Sequence, residues 1–263
     1  MKKSGKHWGG KILLGCVGLG LFLSLWQLLM ATGVISERTM STPWQVLQTF
    51  LEKLSSRDPD GATVQEHFLS SFQLAMAGFF TAMAVGIPMG LVMGYFRTAR
   101  RFLNPIFEIV RPIPPIAWIP IVILFLGIGM PAKVFIVFVA AFVPCVINSY
   151  TGVKLTNPVY IQAAKTMGAG HLRIFTKVCI PSAIPMVFTG IRISLGASWS
   201  TLVAAEMLAS TNGLGYMIQM GRAIIRPDII VVGMLVIGCT GALMSFVLGC
   251  VERHIAPWRR DSL

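Results

Sequence analysis

Long apolar runs separated by short polar segments dominate this sequence. Five runs are long enough for a helix to cross the hydrocarbon core of a bilayer, which takes about 20 mostly apolar residues. They cover residues 12–31, 69–95, 134–153, 183–208 and 229–251. A sixth run, 105–128, contains prolines at positions 112, 114, 115 and 120. Proline lacks a backbone N–H and breaks helices, so this run is predicted to be a broken span. The pattern therefore predicts an all-α membrane protein with six transmembrane helices.

Composition and charge predict the side of the membrane on which each loop lies. The chain is 55% hydrophobic and 12% charged, with a mean hydropathy of +0.74 and a net charge of +12. The basic residues concentrate on one set of alternating loops, where only Glu252 and Asp261 are acidic; the other set is balanced. By the positive-inside rule, the basic loops and both termini are cytoplasmic. The basic residues of that set are Lys2, Lys3, Lys6, Lys11, Arg97, Arg100, Arg101, Lys154, Lys165, Arg173, Lys177, Arg253, Arg259 and Arg260.

Signatures of catalysis, metal binding and nucleic-acid binding are missing from the sequence. The segment GKHWGGK, residues 5–11, has the spacing of a phosphate loop, but Ile12 stands where Ser or Thr would bind magnesium. The histidines are scattered, and the cysteines form no CxxC pair. No basic stretch is interleaved with aromatic residues. We therefore expect no enzyme activity, catalytic residue, metal or bound cofactor, and no nucleic-acid partner.

The polar segment 154–181 predicts a helix-turn-helix, which we call the elbow. Asn157 and Pro158 are typical of an N-cap and a first helical residue, and Gly168 is typical of the residue after a helix C-cap. A second short helix, 171–179, is expected to end at Pro181. One side of the elbow is apolar and the other basic. Such a segment can dock into another protein or lie on anionic lipid, and periodicity alone does not separate the two.

The spacing of the elbow resembles the EAA motif of ABC-importer permeases: Glu-Ala-Ala, three residues, Gly, nine residues and aliphatic-x-aliphatic-Pro. Glutamine replaces the glutamate here, which affects any ion pair at that position. Three further stretches, RPIPPIAWIPIVILFLGIG (111–129), GIRISLGASWSTLVAAEM (190–207) and TNGLGYMI (211–218), resemble the nitrate/sulfonate/taurine branch, and most of all taurine-type permeases. The residues at the motif positions are Gln162, Ala163, Ala164, Gly168, Val178, Ile180 and Pro181.

This resemblance implies a type I ABC importer permease fold in a bacterial inner membrane. The elbow would be the coupling helix that docks on an ATPase subunit, with the transmembrane domain at 12–251 and cytoplasmic termini at 1–11 and 252–263. The implied partners are a second copy of the chain, two ATP-binding subunits that use ATP and magnesium, an external solute-binding protein and membrane lipid. The implied function is import of a small anion: taurine, another sulfonate or nitrate. The alternatives are a permease of the same family for an uncharged heterocycle and a secondary transporter.

Four ionisable side chains lie well inside predicted spans and are candidates for a translocation pathway. Unpaired, each would cost about 2.5 to 3.5 kcal/mol at the bilayer centre, so they are expected to be paired, snorkelling or beside water. Glu108 and Arg111 are three residues apart and can pair along one helix face. The proline-rich stretch 112–120 follows them and also contains Trp118. Broken helices of this kind often border substrate sites. The alternative is that the prolines only shape packing and the pair only locks the bend.

The other two ionisable residues lie on the predicted span 183–208. At 100° per residue, Arg192, Trp199 and Glu206 share one side of its helix. We expect this side to border the pathway and the opposite side to pack closely, because small residues let helices approach. The alternative is that Arg192 snorkels, Glu206 lies near the outer surface and Trp199 only packs. Loop 211–228 is either an external helix that meets the binding protein or a connector. The small residues of the opposite side are Ser194, Ser198, Thr201 and Ala205.

The predicted topology can be tested by single-cysteine labelling in a cysteine-free background. Position 58 lies in a predicted external loop and position 171 in the elbow. A membrane-impermeant reagent should modify Asp58→Cys in intact cells and should modify His171→Cys only after lysis, because the basic loops are retained inside. Labelling in the reverse order would contradict the topology.

Overall fold

The computed structural model describes residues 6–33, 36 and 40–255 of the chain. Every regular element in this part is helical, which confirms the predicted all-α class. A 3-10 turn, Pro115–Trp118, precedes α5, and a π-helical turn, Phe175–Cys179, joins α8 to α9. The α-helices of the described residues are α1 (Lys6–Ala31), α2 (Pro43–Lys53), α3 (Val64–Tyr95), α4 (Arg97–Val110), α5 (Ile119–Leu126), α6 (Met130–Lys154), α7 (Pro158–Thr166), α8 (His171–Ile174), α9 (Ile180–Ala209), α10 (Leu214–Ala223) and α11 (Pro227–Ile255).

Four helical stretches among the described residues are long and apolar enough to cross a membrane. They are Val64–Tyr95, Met130–Lys154, His171–Leu208 and Pro227–Glu252. The first predicted span, residues 12–31, lies within α1 but is not among these four stretches. The count of six spans therefore stays a prediction. The predicted cytoplasmic termini lie partly outside the described residues, at 1–5 and 256–263.

The predicted broken span is present. The helices Arg97–Val110 and Pro115–Leu126 form a pair bent by 87° that is apolar enough, taken together, to count as one further span. The bend falls at residues 111–114, which include two of the four prolines. Each proline lacks the N–H that would continue the helical ladder, so the chain changes direction where these prolines cluster.

The chain forms two compact units, and the predicted domain boundaries stay predictions. The first unit is Met1–Gln65 with Met217–Leu235, and the second is Glu66–Tyr216 with Val236–Leu263. In the first unit, the side chain of Lys53 is only 2% exposed, and its ammonium group is hydrogen-bonded. It donates hydrogen bonds to the carbonyl oxygens of Asp58 (3.1 Å) and Ala62 (2.8 Å) and pairs with the Asp60 carboxylate. These three acceptors satisfy the three donors of a buried lysine.

In the second unit, α6 packs against both α3 and α9 so closely that their backbones are nearly in contact at glycines. A Cβ atom added at Gly90 of α3 would lie 2.5 Å from the carbonyl oxygen of Val146 on α6. On the other side of α6, a Cβ atom at Gly190 of α9 would lie 2.8 Å from the Cβ atom of Asn148. Glycine is required at such positions because the missing side chain is what lets the helices approach. Similar close approaches occur at Gly78, Gly86, Gly94 and Gly152.

We expect Gly90→Ala to destabilise the protein, because the new methyl group meets a backbone oxygen that cannot move aside. Overpacking of this kind costs about 1 to 3 kcal/mol. The midpoint of thermal unfolding in detergent measures the effect. The matched control is Gly196→Ala on α9, where a Cβ atom would meet nothing within 4 Å and alanine favours the helix. Equal melting temperatures for the two variants would contradict the close packing.

Candidate functional site

The first arm of the elbow forms as its sequence predicts. The Asn157 side chain accepts a hydrogen bond from the Val159 N–H at 2.9 Å, and Pro158 is the first residue of α7. At the other end, Gly168 has a φ of +77°. Its N–H donates to the Lys165 carbonyl, and the next N–H donates to the carbonyl of Ala164. These two bonds form a Schellman motif, which requires a left-handed residue at the position of the glycine.

The second arm differs from the prediction, because Pro181 does not end it. The helix that begins at His171 continues through the π-helical turn Phe175–Cys179 into α9, giving one helical stretch from His171 to Leu208. Pro181 lies two residues after the π-helical turn, where the regular ladder of hydrogen bonds is already interrupted. The expected stop at Pro181 is therefore wrong, and the second arm of the elbow is the beginning of a spanning helix.

The elbow is anchored on one side and open on the other. Ala164, Ile174 and Phe175 are buried in one core cluster with residues of α3 and α6. Among the motif residues, Val178 and Ile180 are half-buried, whereas Gln162, Ala163, Gly168 and Pro181 are exposed. The exposed side also carries large apolar residues that are 60% to 81% exposed and form what we call the elbow surface: Leu155, Val159, Tyr160, Met167 and Leu172. Exposed basic side chains lie beside it: Lys165, His171, Arg173 and Lys177.

Sequence reasoning missed an aromatic contact that holds the second arm. The Tyr95 hydroxyl at the end of α3 donates a hydrogen bond to the His171 carbonyl oxygen at 3.0 Å. Its ring, together with the neighbouring Phe96, packs on Phe175 at centroid distances near 5 Å. The paired aromatic residues at the end of a span were the available signal, but only the fold shows that they meet the elbow.

Glu108 and Arg111 form the predicted pair at the end of α4. Their side chains are 3.2 Å apart, and each is 45% exposed. Both line a cavity of about 220 Å³, to which α6 contributes Tyr150 and Thr151. A guanidinium group carries five N–H donors, so Arg111 can bind a second oxyanion beside Glu108. The other residues that line this cavity are Met93, Asn104, Phe107, Val146 and Ile147.

The remaining pathway candidates lie elsewhere and have partners within the protein. Trp118 is half-buried and packs edge-on against Phe135, with 6.4 Å between the ring centroids. Arg192 pairs with Glu252 of α11 at 3.5 Å. Trp199 is 7% exposed and donates to the Ile237 carbonyl oxygen at 3.0 Å.

Both sides of α9 are therefore in contact with other helices. Glu206 is 1% exposed and accepts hydrogen bonds from the Ser71 hydroxyl and the Gly215 N–H. The small side packs as predicted, with Ser194 and Ser198 fully buried and the Ser194 hydroxyl donating to the Ala141 carbonyl oxygen. These contacts favour the alternative in which Trp199 only packs; the position of Glu206 near the outer surface stays a prediction. Within the described residues, no three His, Cys, Asp or Glu side chains are placed to hold a metal ion.

Comparison with known proteins identifies the family. Residues 86–261 match the family described as binding-protein-dependent transport system inner membrane component. The taurine transport system permease protein TauC of Escherichia coli (strain K12) is 35% identical over 95% of this chain and 91% of its own length. The nitrate import permease protein NrtB of Synechocystis is 30% identical over 94% and 90%, and the putative aliphatic sulfonates transport permease protein SsuC of Bacillus subtilis is 28% identical over 99% and 92%.

The fold is similar to solved chains of the MetNI methionine ABC transporter in inward-facing conformations. One aligns with a TM-score of 0.63 and 20% identity over 70% of this chain and 92% of that chain. A second aligns with a TM-score of 0.60 over 82% and 99%. This likeness supports the predicted permease fold. The family match, the relatives and the fold agree, and the chain belongs to the binding-protein-dependent transport system inner-membrane components, the permeases of ABC importers.

Proposed function

We propose that this chain is the membrane-spanning subunit of an ATP-driven importer for a small anion: taurine, another sulfonate or nitrate. The elbow surface carries the proposal, because it combines the family motif with an exposed apolar surface flanked by cations. Relatives whose names specify taurine, aliphatic sulfonates and nitrate support the class of solute. An uncharged heterocycle and a secondary transporter are not favoured by these relatives.

The proposed partner of the elbow surface is an ATPase subunit, which binds and hydrolyses ATP with magnesium. Large apolar side chains as exposed as Met167 and Leu172 are typical of a surface that is covered in an assembly. The Schellman motif at Gly168 and the buried Ala164 hold that surface in one conformation. The proposed assembly contains two copies of this chain, two ATPase subunits and an external solute-binding protein. The elbow and both termini are proposed to face the cytoplasm.

The proposed pathway includes the cavity lined by Glu108 and Arg111. Arg111 supplies a positive charge near the break in the predicted span 105–128, and recognition of an anion requires such a charge. Trp118, in the turn that follows the break, stays a proposed neighbour of the pathway. We leave Arg192, Trp199 and Glu206 out of the proposed pathway, because none of them lines this cavity or lies in the turn after the break, and each contacts another part of the chain.

Gly168→Leu is expected to uncouple transport while leaving the subunit inserted. A side chain at φ +77° strains the Schellman motif by about 1 to 2 kcal/mol and displaces the elbow surface. Copurification of the ATPase and its stimulation by the binding protein should be lost. Gly168→Ala and its matched control Gly170→Ala separate backbone strain from lack of space. Neither Cβ atom would meet anything within 4 Å, but only Gly168 has a positive φ, whereas Gly170 has an ordinary φ of −69°. Normal coupling in Gly168→Leu would return the elbow to the lipid-surface alternative.

Arg111→Ala is expected to abolish uptake, and Glu108→Ala combined with it should not restore uptake. The pair is half-exposed, so its loss should cost about 1 kcal/mol of stability or less. The measurement is uptake of labelled taurine, a short alkanesulfonate and nitrate per assembled transporter, with the thermal midpoint of each variant recorded alongside. Arg111→Lys, which keeps the charge, should retain part of the uptake. Rescue of uptake in the double alanine variant would show that the two groups only neutralise each other.

A further inference from the structure

Three successive backbone N–H groups at the start of α10 donate to side chains of two spanning helices. The Gly213 N–H donates to His67 Nδ1 at 3.0 Å, and the Leu214 N–H donates to Ser71 Oγ at 2.8 Å. The Gly215 N–H donates to the Glu206 carboxylate at 3.0 Å. The first N–H groups of a helix have no partner inside that helix, so these side chains satisfy them. We call His67, Ser71 and Glu206, with the backbone of residues 213–215, the turn clasp.

The Glu206 carboxylate is the centre of the turn clasp. The Ser71 hydroxyl donates to it, with 2.8 Å to each carboxylate oxygen, while accepting from the Leu214 N–H. A buried carboxylate is costly unless it is hydrogen-bonded, and the start of a helix favours negative charge. Lys133 of α6 adds a nearby positive charge, and its ammonium donates to Ser210 Oγ at 2.9 Å. Helices α3, α6 and α9 therefore all hold the turn that precedes α10.

The two glycines of this turn are required by its close approach to α9. Gly213 has a φ of +117°, and a Cβ atom there would overlap the Glu206 carboxylate. At Gly215, a Cβ atom would lie 2.5 Å from the Val203 carbonyl oxygen and 2.9 Å from the Glu206 Cβ atom. The backbone of the turn lies directly on α9, and no side chain fits between them.

The turn clasp and the elbow lie at opposite ends of one helical stretch. This stretch begins at His171 in the elbow, and α9 ends at Ala209, three residues after Glu206. If the elbow is cytoplasmic, the turn clasp lies on the external side, where a solute-binding protein would dock.

We propose that Glu206 is a positioning residue for stimulation of transport by the solute-binding protein, because it fixes the start of α10 to α3 and α9. This inference rests on the proposed function. Movement of α9 relative to α3 either carries the start of α10 with it or breaks hydrogen bonds of the clasp. Docking at α10 is thereby linked to the spanning helix that continues into the elbow.

Two variants break the clasp from opposite sides. Glu206→Gln replaces one acceptor oxygen with an amide donor facing the Ser71 hydroxyl or the Gly215 N–H. Gly215→Ala pushes the turn away from α9. The matched controls are Ser198→Ala, a fully buried hydroxyl on α9 outside the clasp, and Gly238→Ala, where a Cβ atom would meet nothing within 4 Å.

The experiment uses the complete complex with its ATPase, reconstituted in liposomes and assayed with and without the solute-binding protein. The probe is whichever of taurine, a short alkanesulfonate or nitrate supports stimulation in the unaltered protein. For both clasp variants, stimulation should fall by about tenfold, a usual size for coupling between sites. Assembly and hydrolysis without the binding protein should stay close to those of the controls. The double variant should be no worse than the poorer single variant, because both changes break one unit.

Two results would overturn the proposal. Stimulation equal to that of the controls would show that the clasp does not position α10 for docking. A parallel loss of assembly and unstimulated hydrolysis in both variants would make the cluster a folding element only. If the unaltered complex shows no stimulation with any of the three solutes, the proposed function fails and this inference fails with it. Failure of the clasp alone leaves the unaltered complex stimulated.

Discussion

Close approach of helix backbones is the constraint on which the second unit depends. Inside a bilayer the apolar surface of a helix gains little by leaving lipid for another helix, so association depends on tight packing and on hydrogen bonds between helices. Helix α6 meets α3 and α9 where glycines remove the side chains that would keep the helices apart. The Ser194 hydroxyl adds a bond from α9 to the Ala141 carbonyl oxygen on α6. This three-helix contact fixes where the elbow and the turn clasp can lie.

Backbone groups that leave the helical ladder find hydrogen-bond partners at both the elbow and the turn clasp. Lipid offers no hydrogen-bond partner, so non-helical backbone is tolerated only where protein or water supplies one. At the elbow, the Schellman bonds close the end of α7. At the other end of α9, side chains of His67, Ser71 and Glu206 close the start of α10. The break after α4 is different, because it opens beside a cavity lined by charged and polar groups.

The sequence predicts features set by local chemistry and misses those set by distant partners. Asn157, Pro158 and Gly168 gave the bounds of α7 because caps act within a few residues. The Glu108–Arg111 pair was predictable for the same reason, since three residues separate its members. Pro181 was misleading because the helix continues past it from a π-helical turn that ends two residues earlier, which local propensity does not show. A helical projection placed Trp199 and Glu206 on one side of α9, but their partners, Ile237 and Ser71, lie far away in the chain.

The helical stretch from His171 to Leu208 sets the distance between the elbow and the far end of α9. Its 38 residues span about 57 Å at about 1.5 Å per residue. Pivoting about one end by about 5° would therefore displace the other end by about 5 Å, which is close to one helical turn. Because Pro181 lies within this stretch and does not end it, the second arm of the elbow and α9 belong to one helical stretch. If the stretch moves as one body, a small angular change at one end is geometrically equivalent to a displacement of side-chain size at the other.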